Sequence, residues 1–558
     1  MNRNTESHFS TLPKVDINRS TFDRSSSVKL SFNVGDVIPF FVDEVLPGDS
    51  FHIRTSKVVR MQTLIAPIMD NIYLDTYFFF VPNRLVWEHW REFNGENTQS
   101  AWLPDVEYEV PQITSPETSG WSVGTLADYF GIPTGVPGLS VNALPFRAYS
   151  LIMNEWFRDE NLTDPLLTPT DDATVAGVNT GNYITDVAKG GLPFKAAKYH
   201  DYFTSALPAP QKGPDVSIPV STPVFNDVPV STKAQLVSSP GSVPLQGKTT
   251  YNSQVKDTYV YPYSPDSSAG ALYWGQTSSP PVLSGGFVPD NLWALTSGLS
   301  AETATVATVN QLRMAFQIQR LYEKDARGGT RYIEILKEHF GVTSPDARLQ
   351  RPEYLGGNRI PIHINQVIQQ SETSSTSPQG NTAAYSLTSD THSDFRKSFV
   401  EHGFIIGLCV ARYDHTYQQG IERFWSRRDR FDYYWPVLAN IGEQAIKNKE
   451  IYAQGSDVDD EVFGYQEAWA DYRYKPSRVC GEMRSQYAQS LDVWHLADDY
   501  DKLPSLSDEW IREDSKTVNR VIAVSDQVAN QLFADFYIQN RCTRPMPMYS
   551  VPGLIDHH

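Results

Sequence analysis

The chain has 558 residues, of which 40% are hydrophobic and 12% aromatic, and its formal net charge is −18. This apolar content is enough for a substantial core and excludes a chain that is disordered throughout. A protein that wraps nucleic acid with its whole surface is basic, so we expect any nucleic-acid contact here to be local or to pass through a separate basic partner.

Targeting and redox features are also limited. No apolar run reaches the roughly 18 residues that span a bilayer, and the N-terminus MNRNTESHFS has no hydrophobic h-region. The sequence therefore predicts a protein without membrane insertion, made in a cytoplasm. Cys409, Cys480 and Cys542 are odd in number and far apart, which indicates structural thiols rather than a disulfide framework or a zinc site.

The chain begins with a polar segment and three predicted strands. Residues 1–30 are expected to form an N-terminal arm with little core of its own. Residues 28–34 alternate between apolar and polar side chains, which predicts a strand with one buried face. Segments 37–45 and 51–60 flank Leu-Pro-Gly-Asp at 46–49, a sequence suited to a type II turn, so we predict that they pair as an antiparallel hairpin.

Residues 73–82 are dense in aromatic and β-branched side chains, which predicts a strand buried on both faces. Such a strand needs a sheet on one side and something large on the other, for which another subunit is one candidate. Asn83 is then expected to cap a helix with Val86, Trp87, Trp90 and Phe93 on one face.

Short helices and loops are predicted for 94–213. Ser122 is placed to cap one helix that Gly131 ends, and the apolar spacing over 145–160 predicts an amphipathic helix. Residues 214–299 are rich in Pro, Ser and Gly and poor in charge, yet they also contain aromatic residues that a flexible linker has no use for. We expect a folded, loop-rich excursion that carries Tyr251, Tyr259, Tyr261, Tyr263, Tyr273 and Trp274.

In the sequence after residue 299, the apolar spacing predicts a pair of helices over 306–328 and 331–340, and Gly341 ends the second helix. Ile360, Ile362 and Ile364 alternate as a strand, 371–394 is interpreted as a second low-complexity loop, and 404–410 as another buried strand.

Motifs of known enzymes are not found. The nearest match to a phosphate loop, at 241–249, has five residues between its glycines where four are needed. The acidic run at 457–461 lacks the spacing of a calcium loop. His89, His200, His339, His363, His402 and His415 are scattered singly, which is typical of structural histidines. We therefore predict a protein that is not an enzyme and holds no cofactor or metal.

One cluster has a physical case for binding. Residues 423–435 interleave arginines with aromatic side chains, and guanidinium groups with aromatic faces can hold single-stranded nucleic acid. An ion-paired subunit interface explains the same residues, because Glu422, Asp429 and Asp432 cancel most of the charge, and it is the favoured interpretation. The candidate DNA contacts are Arg423, Trp425, Arg427, Arg428 and Arg430, together with the basic positions Arg3, Lys14, Arg19 and Arg24 near the N-terminus.

Long segments of the chain resemble the major capsid proteins of the gokushoviruses, small single-stranded DNA bacteriophages of the Microviridae. The segments that carry this resemblance cover most of the chain outside the excursion: 32–51, 63–90, 144–162, 198–213, 309–342, 423–452 and 463–484, for example FNVGDVIPFFVDEVLPGDSF and KYHDYFTSALPAPQKG.

The resemblance implies a mainly β protein, an eight-stranded antiparallel jelly roll with long loop and helical insertions. It implies a virion protein, assembled in the host cytoplasm, of which sixty copies form a T=1 icosahedral shell around circular single-stranded DNA, with fivefold, threefold and twofold contacts. Residues 31–213 and 300–558 would hold the two parts of the jelly roll, and 214–299 the protrusion at each threefold axis, facing a host cell-surface receptor. The candidates for host contact in this protrusion are Tyr251, Tyr259, Tyr261, Tyr263, Tyr273 and Trp274.

Two further expectations complete this interpretation. Because each copy is acidic, we predict a small basic DNA-binding protein in the same virion. The alternative function is that of a carbohydrate-binding or carbohydrate-cleaving β-protein, since Trp, Tyr and paired acids also suit sugars.

Overall fold

The computed structural model describes residues 18–97, 107–214, 216, 309–370, 372–373, 378–380 and 382–549, together with short strands between 230 and 294. The strands are β1 Ser20–Asp23, β2 Ser26–Phe32, β3 Ile38–Val45, β4 Ser50–Met61, β5 Ile72–Pro82, β6 Gln112–Thr114, β7 Ser140–Asn142, β8 Val175–Ala176, β9 Val230–Thr232, β10 Leu245–Tyr251, β11 Gln254–Tyr261, β12 Tyr273–Trp274, β13 Val288–Pro289, β14 Leu292–Ala294, β15 Glu353–Gly356, β16 Arg359–Pro361, β17 Ile364–Ile368, β18 Thr382–Ser386, β19 Thr388–Ser398, β20 Gly403–Tyr413, β21 Glu443–Lys447, β22 Val462–Glu467 and β23 Leu532–Arg544. The α-helices are α1 Trp90–Phe93, α2 Leu126–Tyr129, α3 Leu144–Ile152, α4 Val309–Gly328, α5 Tyr332–Phe340, α6 Asp346–Leu349, α7 Asn448–Ile451, α8 Asp508–Ile511 and α9 Lys516–Asn519.

Two antiparallel sheets form the centre of the larger unit. The first has the order β1/β2, β23, β4, β19, where β1 and β2 pair with successive parts of β23 and so share one edge. The second has the order β15/β16, β5, β20, β3, with β15 and β16 sharing the edge along β5. The last strand, β23, thus lies between β1/β2 and β4, and the consecutive strands β3 and β4 lie in different sheets, which is jelly-roll topology. The predicted mainly β fold of jelly-roll type is confirmed, whereas each of these two sheets contains five strands.

Apolar side chains from both sheets meet between them. Phe40 of β3 stacks on Phe536 of β23 with ring centroids 4.5 Å apart. Phe78 of β5 packs against Phe395 of β19 at 5.5 Å. Along β23 the buried and exposed side chains alternate, so one face of the first sheet points to this core.

The outer face of the second sheet is buried as well. Phe79 and Val81 of β5 belong to a second core with Trp121, Phe146 and Tyr149, which lie between β5 and β15 in the chain. The Tyr149 hydroxyl donates to the Val37 carbonyl at 2.5 Å, which ties α3 to the sheet. The prediction that β5 is buried on both faces is confirmed, and its cover is an insertion of the same chain rather than another subunit.

The predicted hairpin of 37–45 with 51–60 is wrong. The turn at 46–49 carries the chain from one sheet to the other, so β3 pairs with β20 and β4 pairs with β23 and β19. A tight turn favours local pairing, but β4 finds two long partners from the other end of the chain, and these bury its inner face between the sheets.

The predicted helix after β5 is also wrong, because Asn83–Leu85 forms a 3₁₀ turn and Trp90–Phe93 a separate short helix. Asn83 makes no capping hydrogen bond. Thr125, rather than Ser122, caps α2 through its side chain.

The interpretation of 371–394 as a loop is wrong, because β18 and most of β19 lie inside that range. The expected arm over 1–30 overlaps β1 and β2, so the first sheet begins at Ser20.

Other predicted elements are confirmed. The buried strand predicted near 404–410 is β20, and the alternating strand predicted near 28–34 is β2. The helices predicted over 145–160 and 331–340 are α3 and α5. Cys409 and Cys542 are buried, whereas Cys480 is exposed and does not contribute to a core. Within the described ranges, no helix is both long and apolar enough to cross a membrane.

A second compact unit spans Asp215–Arg320. Its described strands form an antiparallel sheet of order β12, β11, β10, β13, and β9 pairs with β14. The excursion expected to be rich in loops therefore contains a hairpin, in which Tyr251 pairs with Gln254 and Leu245 with Val260.

Replacement of Phe536 by alanine tests the packing between the sheets. The side chain is fully buried against Phe40, so Phe536→Ala should lower the free energy of unfolding by about 3–5 kcal/mol. Phe533→Ala is the matched control, because this residue of the same strand is 40% exposed, and it should change the value by less than about 1 kcal/mol. Urea unfolding followed by tryptophan fluorescence measures both, and equal effects would contradict the assignment of the core.

Candidate nucleic-acid and subunit interface

The Arg/aromatic cluster lies in an irregular segment between β20 and β21. Three short 3₁₀ turns form its backbone: Arg423–Ser426, Arg430–Asp432 and Pro436–Leu438. The carboxylates of Asp429 and Asp432 accept hydrogen bonds from backbone N–H groups within 428–432, at 2.7 to 3.2 Å. These two acids therefore close the turn, and their hydrogen bonds do not go to the neighbouring arginine side chains.

Two of the predicted arginines are anchored inside the subunit. The Arg427 guanidinium forms an ion pair with Asp471 and lies 4.3 Å from the centre of the Tyr472 ring. Arg423 lies 3.9 Å from the carboxylate of Glu450, whose pKa is raised by burial. These contacts fix the segment to the subunit and occupy both guanidinium groups.

The aromatic side chains of the segment remain exposed. Trp425 is 69% exposed and Val437 is 92% exposed. We call this surface the aromatic shelf and define it by Phe424, Trp425, Phe431, Tyr433, Tyr434, Trp435 and Val437. So many large apolar side chains in one short segment indicate a surface that is covered in the assembled state.

Arg428 and Arg430 project from the same segment and are also exposed. The Arg430 guanidinium lies 4.9 Å from the centre of the Phe431 ring. No described carboxylate forms an ion pair with either arginine, so both charges remain available. Of the five predicted contacts in this segment, the structure leaves Trp425, Arg428 and Arg430 accessible.

A cavity of about 410 Å³ lies beside the shelf. Its wall includes Arg423, Phe424, Trp425, Arg427, Tyr472, Tyr474, Lys475, Arg478 and Arg484. Glu422 draws Lys475 to 3.0 Å and Arg478 to 2.8 Å, and thereby holds these two cations at the wall. Aromatic faces beside cations can hold an unpaired base and its phosphate, or an aromatic or acidic side chain of a neighbouring protein.

The basic positions near the N-terminus have different surroundings. Arg3 and Lys14 lie outside the described residues. Arg19 is exposed. Arg24 forms an ion pair with the buried Asp43 at 2.5 Å, and its backbone N–H donates to Asn540 at 2.8 Å. Arg24 therefore anchors the edge of the first sheet, and only Arg19 is described as free to reach outward.

The aromatic residues proposed for host contact lie in the second unit. Tyr251 ends β10, Tyr259 and Tyr261 lie on β11, and Tyr273 and Trp274 form β12. The register places Tyr261 opposite Tyr273 and Val260 opposite Trp274. Tyr263 lies outside the described residues.

The acidic run at 457–461 is occupied by the chain itself. Asp460 accepts hydrogen bonds from Lys447 and Lys449, which lower its pKa to about 2. Asp459 accepts from two backbone N–H groups of the adjoining loop. Among the described residues, no group of three or more His, Cys, Asp or Glu side chains is arranged to hold a metal ion.

A buried charged cluster was not found from the sequence. His415 lies 3.0 Å from Asp498 and 3.2 Å from Glu513, and all three side chains are buried. Burial lowers the pKa of His415, but the charges of Asp498 and Glu513 outweigh it and raise the pKa to about 10. This imidazolium joins the end of β20 to two later loops, so its role is structural, as expected for the scattered histidines.

The comparison with known proteins extends over nearly the whole chain. The profile of the family described as "Capsid protein (F protein)" matches residues 10–554. The chain is 43% identical to the capsid protein VP1 of Chlamydia phage 1, over 98% of both chains. It is 43% identical to capsid protein VP1 of Bdellovibrio phage phiMH2K, over 99% of this chain and 98% of the relative. For the capsid protein VP1 of Spiroplasma virus 4 the identity is 45%, over 94% and 93%.

The His415 cluster predicts a pH dependence of stability. The pKa of about 10 in the folded protein lies above the ordinary value of 6.5, so the stabilisation is complete below about pH 6.5 and is lost as the pH rises toward 10. His415→Gln leaves buried Glu513 without its cation and Asp498 with Lys198 alone at 3.8 Å, and it should lower the free energy of unfolding by about 3–5 kcal/mol at pH 7.

Urea unfolding at pH 7 and pH 9.5 measures this effect. The free energy of unfolding should differ less between pH 7 and pH 9.5 in His415→Gln than in the wild type. In His52→Gln, where the replaced histidine is exposed, this difference should equal that of the wild type. Equal pH dependence in all three proteins would contradict the assignment.

Proposed function

Because the chain belongs to the family of the phage capsid F protein, we propose that sixty copies of it form a T=1 icosahedral shell around circular single-stranded DNA. As a member of this family it is a structural capsid protein that assembles with itself in the virion, and it is not an enzyme. The closed symmetry, the nucleic-acid cargo and assembly in the host cytoplasm are the parts that we propose. The alternative of a carbohydrate-binding or carbohydrate-cleaving β-protein does not agree with this family.

The aromatic shelf is the observation that supports a role in contacts between copies. Arg423 and Arg427 are used within the subunit, so the outward surface of the segment is mostly aromatic and apolar. Protein interfaces are enriched in Trp, Tyr and Phe at their centre and depleted of charge there, whereas a DNA groove carries a continuous row of cations. The shelf therefore fits a neighbouring copy of the chain better than it fits DNA.

Contact with DNA is proposed to be modest. Arg428 and Arg430 at the side of the shelf, Arg19, and the basic positions Arg3 and Lys14 are the candidates. A formal charge of −18 on every copy cannot neutralise a genome. A small basic virion protein that binds the DNA is therefore part of the proposal.

The excursion at 214–299 is proposed to form the protrusion at each threefold axis and to contact a host cell-surface receptor. The described strands of the second unit form sheets of their own, and this unit is compact by itself. Tyr and Trp side chains on such a unit are effective anchors for a partner surface.

Substitutions on the shelf separate its two interpretations. Trp425→Ala/Trp435→Ala should leave the subunit folded, because both side chains are largely exposed. It should prevent particle assembly, because an aromatic anchor at an interface contributes about 2 kcal/mol or more. Arg428→Gln/Arg430→Gln should still assemble, but with less packaged DNA. Circular dichroism, negative-stain microscopy and the ratio of DNA to protein in purified particles measure these effects.

The opposite pattern would contradict the assignment of the shelf: normal particles with the tryptophan variant, and no particles with the arginine variant. Val400→Ser serves as a control, because Val400 is 87% exposed on the loop between β19 and β20, and it should assemble normally.

Replacement of 214–299 by a short Gly/Ser linker tests the protrusion. We expect a soluble and folded subunit that no longer confers adsorption to cells, measured by the loss of particles from solution after mixing with the host. An unfolded subunit, or unchanged adsorption, would show that the excursion has another role.

A further inference from the structure

A lysine side chain crosses the core between the two sheets. Lys57 lies on β4 of the first sheet, and its side chain is fully buried. It reaches Thr76 on β5 of the second sheet, with its Nζ 3.3 Å from the Thr76 Oγ1. A buried ammonium group is costly unless it is paired, so its immediate surroundings are informative.

Three polar side chains surround the Lys57 amine. The amine contacts the side-chain oxygen of Asn358, and it lies 3.3 Å from the Asp390 carboxylate. The side-chain nitrogen of Asn358 donates to the same carboxylate at 2.9 Å. The Thr76 hydroxyl donates to the Asn358 Oδ1 at 2.9 Å. An amine, a side-chain amide, a carboxylate and a hydroxyl donor are thus gathered at one point.

The backbone holds Asn358 in this position. The Thr76 N–H donates to the Asn358 carbonyl at 2.9 Å. Gly357 has a φ of +148°, and a Cβ there would lie 1.9 Å from the Thr76 carbonyl oxygen. Only glycine allows such a close approach, so Gly357 lets the backbone place the Asn358 side-chain amide beside Lys57.

We propose that Lys57 and Asn358 react to form an intramolecular isopeptide bond, with Asp390 transferring protons and Thr76 stabilising the developing oxyanion. The new bond joins Nζ of Lys57 to Cγ of Asn358, and the bond from Cγ to Nδ2 breaks. Of the three protons on the lysine ammonium, one stays on the new amide nitrogen. The other two leave with Nδ2 as an ammonium ion, by way of the Asp390 carboxylate.

Each partner is suited to its step. Burial lowers the pKa of Lys57, which favours the neutral amine that can attack. Burial raises the pKa of Asp390, but the hydrogen bond from Asn358 and the charge of Lys57 outweigh it, so a carboxylate is present to take the first proton. Because Asp390 contacts both the nucleophile and the leaving group, it can return that proton to Nδ2.

The Thr76 hydroxyl points at the oxygen on which negative charge develops, as a donor in an oxyanion hole does. The ammonium ion also has a route out. The Asp390 side chain is 27% exposed, so the ammonium ion formed beside it can leave to solvent. No oxidant, metal or external reactant is needed.

Peptide mass spectrometry tests the bond directly on the wild-type protein. Particles are denatured and digested with trypsin, and the product should contain the peptide with Lys57 joined to the peptide with Asn358. Its mass should be lower than the sum of the two peptides by one ammonia, and its fragments should place the link at these residues. Separate peptides with a free Lys57 and an intact Asn358 would overturn the proposal.

Variants then test the roles of the neighbours. Lys57→Met should abolish the linked peptide. Asp390→Asn keeps the size of the side chain but cannot transfer the protons, so the linked fraction should fall at least about tenfold. Asp535→Asn is the matched control, because this exposed acid pairs with Lys29 and does not contact Lys57, and it should remain linked. A fully linked Asp390→Asn protein would overturn the role of Asp390.

Discussion

The burial of β5 and β20 on both faces is the constraint on which the rest of the structure depends. Two long neighbouring strands without a solvent face require apolar cover from two directions. The first sheet supplies one cover through Phe395 and Phe536, and the insertion after β5 supplies the other through Trp121, Phe146 and Tyr149. The insertion is therefore part of the core, because without it the outer face of β5 would be exposed to water.

The sequence predicted elements whose pattern is local, and it failed where partners come from far away. The aromatic run of β5 and the helical spacing of α3 are visible in short windows. The pairing partners of β3 and β4 are strands more than 300 residues later in the chain, and a turn sequence cannot indicate such distant partners. The strand β19 was interpreted as a loop because its exposed positions there are Ser389, Thr391 and Ser393, while its burial comes mainly from its position beside β4. The alternation of Leu532, Ala534, Phe536 and Ile538 could have identified β23.

The candidate site was predictable in its location but not in its internal pairing. The interleaving of arginines and aromatic residues identified 423–435, yet residue type alone does not distinguish Arg427, paired with Asp471, from the free Arg428. The buried clusters were beyond reach for another reason. His415, Asp498 and Glu513 come from three segments, as do Lys57, Asn358 and Asp390, and only the tertiary fold brings each set together.

The central place of β23 in the first sheet has a consequence for the timing of folding during synthesis. β2 and β4 do not pair with each other, since β23 lies between them and hydrogen-bonds to both. While the ribosome is still translating the region before Leu532, the first sheet has an open position at its centre, and the inner faces of β2 and β4 have no common partner. A chain released early cannot close the sandwich. Only complete chains acquire the folded surface needed for assembly, so truncated products are excluded from the shell by topology alone.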